Sequence, residues 1–229
     1  MQNINRFIEH TILKANVTID DVDKLVQEAK EYNFLGICVP PYWIKRARRE
    51  IGKSPLQLIT VIGFPLGYQM SEVKLSEIRT AIDDGANELD VVMNISAFKS
   101  KMDWAKIDLA KCSKVIHDNG CFMKVIIETA YLSKEEILSA CKICKEIGSD
   151  FVKTSTGFAS EGATTANVKI MRETLPSNIG VKASGGIKDF KTAVALIDAG
   201  ADRLGVSAGV SIFKEAQEEF IKNGKASEY

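Results

Sequence analysis

Four charged residues stand inside otherwise apolar segments of this sequence: Asp90, Lys124, Lys153 and Lys182. A charged side chain is costly to bury unless the fold uses it. A lysine amine that loses its water favours the neutral form, which can attack a carbonyl and form an imine. The pattern is therefore typical of an imine-forming enzyme. For each lysine taken singly, a structural ion pair in the core is the alternative.

These segments belong to a series of eight short, apolar stretches that amphipathic helices separate. The predicted strands cover residues 10–13, 35–39, 56–64, 88–94, 122–128, 151–154, 180–183 and 204–207. Short apolar strands of this kind are buried on both faces, as in parallel sheets. Eight strict alternations in 229 residues predict an α/β fold, a (β/α)8 TIM barrel. An open doubly wound sheet is the alternative, but no Gly-x-Gly-x-x-Gly follows the first strand.

The chain is predicted to form a single catalytic domain over residues 1–229. A short N-terminal helix is expected at 1–9 and a C-terminal tail at 222–229. No linker and no low-complexity tract suggests a second domain.

The barrel prediction gives the charged residues a common place, because chemistry in a TIM barrel lies at the C-terminal ends of the strands. Lys153 and Lys182 fall on the adjacent predicted strands six and seven, so both could project into one interior. Two ammonium groups close together cannot both stay charged cheaply. Asp90 within reach would hold one of them as an ammonium and help relay protons. This is the constellation that an imine-forming aldolase needs.

Glycines precede the last two predicted helices, where barrels usually bind phosphate. Gly185 and Gly186 open one helix, and the segment 205–209 opens the other. Glycine lets backbone N–H groups approach an anion at a helix N-terminus. Gly157, which follows the lysine of strand six, can add a third wall. The sequence therefore predicts a phosphate site beside the lysines.

Composition argues against several other classes of protein. Thirty basic and thirty acidic residues cancel, so no net charge would draw the chain to nucleic acid or to a membrane. The basic run 45–49 is interpreted as a solvated helix face rather than a nucleic-acid patch. The N-terminus has no apolar signal region and no apolar run is long enough to span a bilayer, so a cytoplasmic location is expected.

No metal site is expected either. The five cysteines, an odd number without an export signal, suggest reduced thiols. Cys141 and Cys144 have redox or zinc spacing, but they lie within a predicted helix and no second pair completes a site. His10 and His117 lie too far apart in the chain to suggest a metal pair.

Several longer stretches resemble one known family. They are Phe-Val-Lys-Thr-Ser-Thr-Gly at 151–157, Lys-Val-Ile-Ile-Glu-Thr at 124–129, Val-Lys-Ala-Ser-Gly-Gly at 181–186 and Glu-Leu-Asp-Val-Val at 88–92. Shorter matches are at 10–14, 38–39 and 61–65. Together they strongly resemble the deoxyribose-phosphate aldolases, in the same order and over nearly the whole chain.

The resemblance implies a class I aldolase that needs no cofactor. Such an enzyme interconverts 2-deoxy-D-ribose 5-phosphate with acetaldehyde and D-glyceraldehyde 3-phosphate in deoxynucleotide and carbohydrate catabolism. Lys153 matches the Schiff-base nucleophile of the family. Lys182 matches the second lysine, which lowers the pKa of the nucleophilic amine and relays protons. Asp90 matches the general acid/base.

The resemblance also implies a set of surrounding residues. Expected in the pocket are Lys124, Thr11, Cys38, Thr154 and Tyr229. Expected at the phosphate are Gly157, Gly185, Gly186, Lys188, Gly205 and Ser207. For Tyr229 two interpretations stay open, a tail that folds over the pocket to assist proton transfer and a frayed terminus. Because family members are often dimers, a homodimer is expected, with phosphosugar and aldehyde substrates as its small-molecule partners.

Three departures from the usual family pattern concern the aldehyde-facing wall. Glu9 stands where aspartate is common, Pro40 where asparagine is common, and the loop 67–70 is unusual. Two other functions remain as alternatives. One is a phosphosugar epimerase or isomerase that uses carboxylates, and the other is a phosphosugar-binding barrel without chemistry.

Overall fold

Eight parallel strands close into a barrel in which each strand pairs with the next and β8 pairs with β1. The structure is a computed structural model that describes residues 3–222. The strands are β1 Ile8–Thr11, β2 Gly36–Val39, β3 Gln57–Ile62, β4 Glu88–Val92, β5 Phe122–Ile126, β6 Phe151–Lys153, β7 Gly180–Ser184 and β8 Arg203–Val206. The predicted (β/α)8 barrel is confirmed.

Helices surround the barrel and follow the strands along the chain. The helices are α1 Ile19–Glu31, α2 Ile44–Ile51, α3 Ser71–Asp83, α4 Ile95–Lys99, α5 Trp104–Asp118, α6 Lys134–Glu146, α7 Thr165–Thr174, α8 Phe190–Asp198 and α9 Gly209–Lys222. Short 3₁₀ turns cover Ile4–Phe7, Pro41–Trp43 and Thr129–Tyr131. Capping boxes fix the first turns of α1 and α6, where Thr18 and Ser133 accept hydrogen bonds from the backbone.

The N-terminal segment differs from its prediction. Of the helix expected at 1–9, the described residues show the single 3₁₀ turn Ile4–Phe7, and β1 begins at Ile8, two residues before the predicted strand. The reason is that Glu9, a residue that sequence patterns assign to the surface, is fully buried in β1. It pairs with Gly36 of β2 and Gly205 of β8, so the charged residue is part of the barrel wall.

Strand register places the charged residues beside one another in two pairs. Lys153 of β6 pairs directly with Lys182 of β7, and Asp90 of β4 pairs with Lys124 of β5. Side chains alternate between the two faces of a strand, so each of these pairs projects to the same side. The alternate, outward-facing residues, such as Val152, belong to the apolar core between barrel and helices. The helices therefore pack on apolar side chains while the barrel interior holds the charges.

Candidate active site

One carboxylate, Asp90, joins the three lysines at the centre of the barrel. Its Oδ2 atom lies 2.9 Å from Lys153 Nζ and 2.7 Å from Lys182 Nζ. Its Oδ1 atom lies 3.1 Å from Lys124 Nζ. All four side chains are buried. The structure thus brings together the four residues that the sequence pattern selected.

Two further carboxylates and an arginine complete the cluster. Glu9 accepts a hydrogen bond from Lys182 and another from Arg203, whose Nη1 lies 3.0 Å from Glu9 Oε1. Glu88 accepts from the same Arg203 nitrogen at 2.6 Å and forms an ion pair with Lys124. Sequence reasoning treated Glu9 only as a family departure and missed Glu88 and Arg203. The available signal was the two-residue spacing of a strand, which puts Glu88 on the same face as the aspartate two positions later.

These contacts decide the charge states. Burial raises the pKa of the Glu9 carboxyl, but the ammonium groups of Lys124 and Lys182 outweigh burial and lower that pKa to about 2. Burial is likewise outweighed at Asp90, where the three lysines hold the pKa well below its ordinary value. Burial lowers the pKa of Lys182, but Asp90 and Glu9 outweigh it and raise that pKa. The balance is the same at Lys124, whose pKa is raised. Asp90 is therefore held as a carboxylate and Lys182 as an ammonium.

A cavity of about 230 Å³ opens above this cluster and reaches Lys153. Its lining includes these predicted residues: Thr11, Lys153, Gly157, Gly185, Gly186, Gly205 and Ser207. Lys14, Thr156 and Ser184 also line it, and sequence reasoning missed them. Two larger grooves, of about 720 and 800 Å³, lie between outer helices and contain none of the buried lysines of the barrel. The smaller cavity is the one that meets the candidate nucleophile.

Three glycines in the cavity wall have a left-handed backbone. Gly157, Gly185 and Gly186 have φ angles of 87°, 82° and 77°, a region that residues with a Cβ rarely adopt. Gly205 has another role, because it lies within β8 and a Cβ there would come within 3.0 Å of Lys182 Cε. Its missing side chain makes room for the lysine.

The other predicted site residues within the described chain do not line the cavity: Asp90, Lys182 and Lys124 belong to the cluster below it, and Cys38, Thr154 and Lys188 lie elsewhere. Lys188 is exposed and does not line the cavity. Thr154 does not line it either: its hydroxyl donates to Ser184 O at 3.3 Å and accepts from Ser184 N at 3.1 Å. It therefore ties the ends of β6 and β7 together. Tyr229 lies outside the described residues.

Cys38 lies on the apolar side of the barrel interior. It packs with Ile59 and Val61 of β3, and Leu13 and Phe64 cover this cluster. Burial raises the pKa of the Cys38 thiol to about 11, so the thiol is neutral at ordinary pH. Neither Pro40 nor the loop 67–70 lines the cavity, although both were expected to reshape its wall.

A buried glutamate holds the turn that follows the nucleophile candidate. Glu128 follows β5 with a φ of 49°, a left-handed conformation that is costly for a residue with a side chain. Its carboxylate accepts hydrogen bonds from Thr156 N at 3.2 Å and from the Thr156 hydroxyl. That hydroxyl accepts in turn from Phe158 N at 3.0 Å, so the turn around Gly157 is fixed from both sides. Burial raises the pKa of Glu128. Sequence reasoning did not single out this residue.

Within residues 3–222, no group of three or more His, Cys, Asp or Glu side chains is arranged to hold a metal ion. The carboxylates of the barrel interior are occupied by lysine and arginine instead. None of the described helices has the length and apolar character needed to cross a bilayer.

Comparisons with known proteins identify the family of this chain. The model of the DeoC/LacD family aldolases matches residues 5–215. A deoxyribose-phosphate aldolase from Brevibacillus brevis is 48% identical over 216 residues, which is 94% of this chain and 97% of the relative. The solved structure of QR15, an aldolase, superposes with a TM-score of 0.91 at 41% identity and covers 97% of this chain and 99% of its own.

A second solved structure is a tetrameric deoxyribose phosphate aldolase from Aeropyrum pernix, with a TM-score of 0.87 at 32% identity. The alignment covers 93% of this chain and 90% of that chain. Family model, relatives and structures agree over nearly the full length. The chain belongs to the DeoC/LacD aldolase family.

Proposed function

We propose that this aldolase cleaves 2-deoxy-D-ribose 5-phosphate reversibly to D-glyceraldehyde 3-phosphate and acetaldehyde through an imine on Lys153. The observation that carries the proposal is the position of Lys153 Nζ, in the cavity wall and 2.9 Å from a carboxylate that stays ionised. The substrate follows from the relatives, which are deoxyribose-phosphate aldolases. A role in deoxynucleotide and carbohydrate catabolism follows from that substrate.

In the proposed mechanism, the neutral amine of Lys153 attacks the aldehyde carbon C1 of the open-chain sugar. Loss of water from the carbinolamine gives the iminium ion, with Lys182 as the proton donor. Asp90 then accepts the proton of the C3 hydroxyl, and the C2–C3 bond breaks. Its electrons move toward the iminium nitrogen and form an enamine. Protonation at C2 and hydrolysis release acetaldehyde and return the free amine.

The three left-handed glycines support a phosphate site, because such backbone turns expose N–H groups to an anion. Gly186→Ala is expected to raise KM for 2-deoxy-D-ribose 5-phosphate about tenfold, since the turn must distort; this corresponds to about 1.4 kcal/mol. Steady-state kinetics check the prediction. Gly148→Ala is the matched control, because Gly148 has a similar φ of 71° and open space around it but does not line the cavity. Equal KM values for both variants would contradict the phosphate role.

Glu128 is expected to act on the same site through the turn it holds. In Glu128→Ala, Thr156 loses its two hydrogen bonds, and we expect a KM increase of about tenfold because the Gly157 turn is no longer fixed. Glu128→Gln keeps a carbonyl acceptor, so its KM should lie near the wild-type value. KM and kcat are measured for both variants, with circular dichroism to monitor folding. A glutamine variant as impaired as the alanine variant would show that the carboxylate acts in another way.

The direct test of the proposed activity is incubation with 2-deoxy-D-ribose 5-phosphate and identification of the products. Acetaldehyde and D-glyceraldehyde 3-phosphate in equal amounts are expected. Isomerised phosphosugar without carbon–carbon cleavage would favour the epimerase or isomerase alternative. Saturable binding without turnover would favour the binding-protein alternative. A homodimer, a cytoplasmic location and a role of Tyr229 in proton transfer stay predictions.

A further inference from the structure

Six side chains of the barrel interior, five of them buried and the sixth, Arg203, half-buried, form a closed ring of ion pairs, which we call the charge ring. In order around the ring they are Asp90, Lys124, Glu88, Arg203, Glu9 and Lys182. The ring draws on five strands, β1, β4, β5, β7 and β8. Each member contacts the two members beside it, which carry the opposite charge, and Lys124 also lies 3.6 Å from Glu9 across the ring. The ring contains three carboxylates and three cations, so its net charge is zero.

Lys153 stands outside this balance. It is attached to the ring through Asp90, its one ion-pair partner within 4 Å among the described residues. Lys182 by contrast contacts two carboxylates, and Lys124 contacts three, the third being Glu9 at 3.6 Å. Removing a proton from either of these lysines takes one cationic partner away from two or three buried carboxylates. Removing the proton from Lys153 leaves a closed, neutral ring.

The other groups around Lys153 do not change the order of the three lysines, in which Lys153 has the fewest carboxylate partners. The thiol of Cys38 on β2 is neutral, and β3 presents the apolar Ile59 and Val61. Glu128 lies after β5 with its carboxylate hydrogen-bonded to Thr156. It attracts Lys153 at longer range, but among the described residues it has no lysine within ion-pair distance. Lys14 lies in the cavity wall above β1. The charge ring is therefore the dominant electrostatic neighbour of Lys153.

We infer that Glu88 and Arg203, together with Glu9, are positioning residues that select the nucleophile. By closing a neutral ring they keep Lys124 and Lys182 protonated, and Lys153 becomes the amine that gives up its proton. This inference rests on the proposed function for its purpose, but the protonation of Lys153 can be measured without turnover. Glu88 and Arg203 neither line the cavity nor form an ion pair with Lys153; outside the ring, Arg203 also stacks on the Phe151 ring of β6 at 4.4 Å.

Variants that change the ring charge in opposite directions test the inference. Arg203→Met makes the ring negative, which stabilises the Lys153 ammonium, so the pH at which half of this amine is deprotonated should rise by about one unit. Glu88→Gln makes the ring positive, and the same midpoint should fall by about one unit. Arg203→Lys keeps the charge, and the double variant Glu88→Gln/Arg203→Met restores neutrality. In both of these variants the pH midpoint of Lys153 should lie near the wild-type midpoint.

The readout is competitive trace acetylation with acetic anhydride over a range of pH. Cleavage after glutamate releases residues 147–161, in which Lys153 is the only lysine, so its labelling is read from one peptide. Opposite midpoint shifts in the two single variants, with reversal in the double variant, support the inference. Equal or same-direction shifts overturn it, because general loosening of the barrel moves both variants the same way. If Arg203→Met does not fold, the Glu88→Gln variant and the double variant still carry the test.

The same series separates this inference from the proposed function. Acetaldehyde and borohydride are added to the wild type in parallel. If no imine is trapped, the proposed function fails while the labelling series still reports on the charge ring. If an imine is trapped but the midpoints do not move with ring charge, the aldolase activity stands and the selection of Lys153 has another cause.

Discussion

Lys153→Leu is expected to lower the cleavage rate of 2-deoxy-D-ribose 5-phosphate by about four orders of magnitude or more, as removal of a covalent nucleophile does. The fold should persist, because Asp90 keeps its ion pairs with Lys124 and Lys182 when Lys153 is absent. The unfolding free energy is therefore expected to change by no more than about 2 kcal/mol.

Product formation and thermal unfolding measure the two halves of this prediction. Lys169→Leu on α7 serves as the control, because that lysine is on the surface and forms only a weak pair at 3.9 Å with Glu173. It should retain wild-type activity. A Lys153→Leu enzyme that keeps a tenth of the wild-type rate would rule out an imine on this residue.

The second large effect is expected for Asp90→Asn, which damages both activity and stability. The amide cannot take up the proton of the C3 hydroxyl, so kcat should fall by about two to four orders of magnitude. Three buried ammonium groups also lose their shared carboxylate, and breaking a buried pair on one side costs about 3–5 kcal/mol of unfolding free energy.

A second buried ion pair offers a matched control for Asp90→Asn. Lys74 of α3 donates to Asp108 of α5 at 2.6 Å, and neither residue lines the cavity. Asp108→Asn should lower stability to a similar degree yet leave the activity per folded molecule unchanged. Loss of activity in proportion to stability in both variants would contradict a chemical role for Asp90.

The acid dependence of stability should also change in Asp90→Asn. The pKa of Asp90 is lowered in the folded state, so its stabilisation is present above the ordinary value of 3.8 and is lost as the pH falls through the folded value. In Asp90→Asn this part of the acid dependence is expected to disappear. Chemical unfolding at a series of pH values below 5 measures it.

The barrel could be predicted because its signal is local. Strand and helix alternate with short apolar strands, and helix ends are marked by glycine and capping residues such as Thr18. The start of β1 could not be predicted from the sequence, because Glu9 breaks the apolar pattern that identifies a buried strand. What makes that glutamate tolerable is Lys182 and Arg203, which lie more than 170 residues away in the chain.

The same reason explains which site residues were found. The lysines and Asp90 stand out because each interrupts an apolar segment. Glu88 and Arg203 stand at the starts of β4 and β8, where charged residues are ordinary. Their burial and pairing depend on closure of the barrel, which joins strands that are distant in sequence. The family resemblance placed Thr154 in the pocket, but in a strand the side chain next to Lys153 points to the other face.

The central claim, that Lys153 forms the imine, is tested most directly by trapping. The enzyme is incubated with acetaldehyde and borohydride, cleaved after glutamate and mapped by mass spectrometry. The prediction is a single N-ethyl group on the peptide 147–161, which contains Lys153 and no other lysine. Its formation should be blocked in Lys153→Leu. An N-ethyl group on the peptide that carries Lys182 instead, or cleavage activity that survives borohydride without any adduct, would contradict the account.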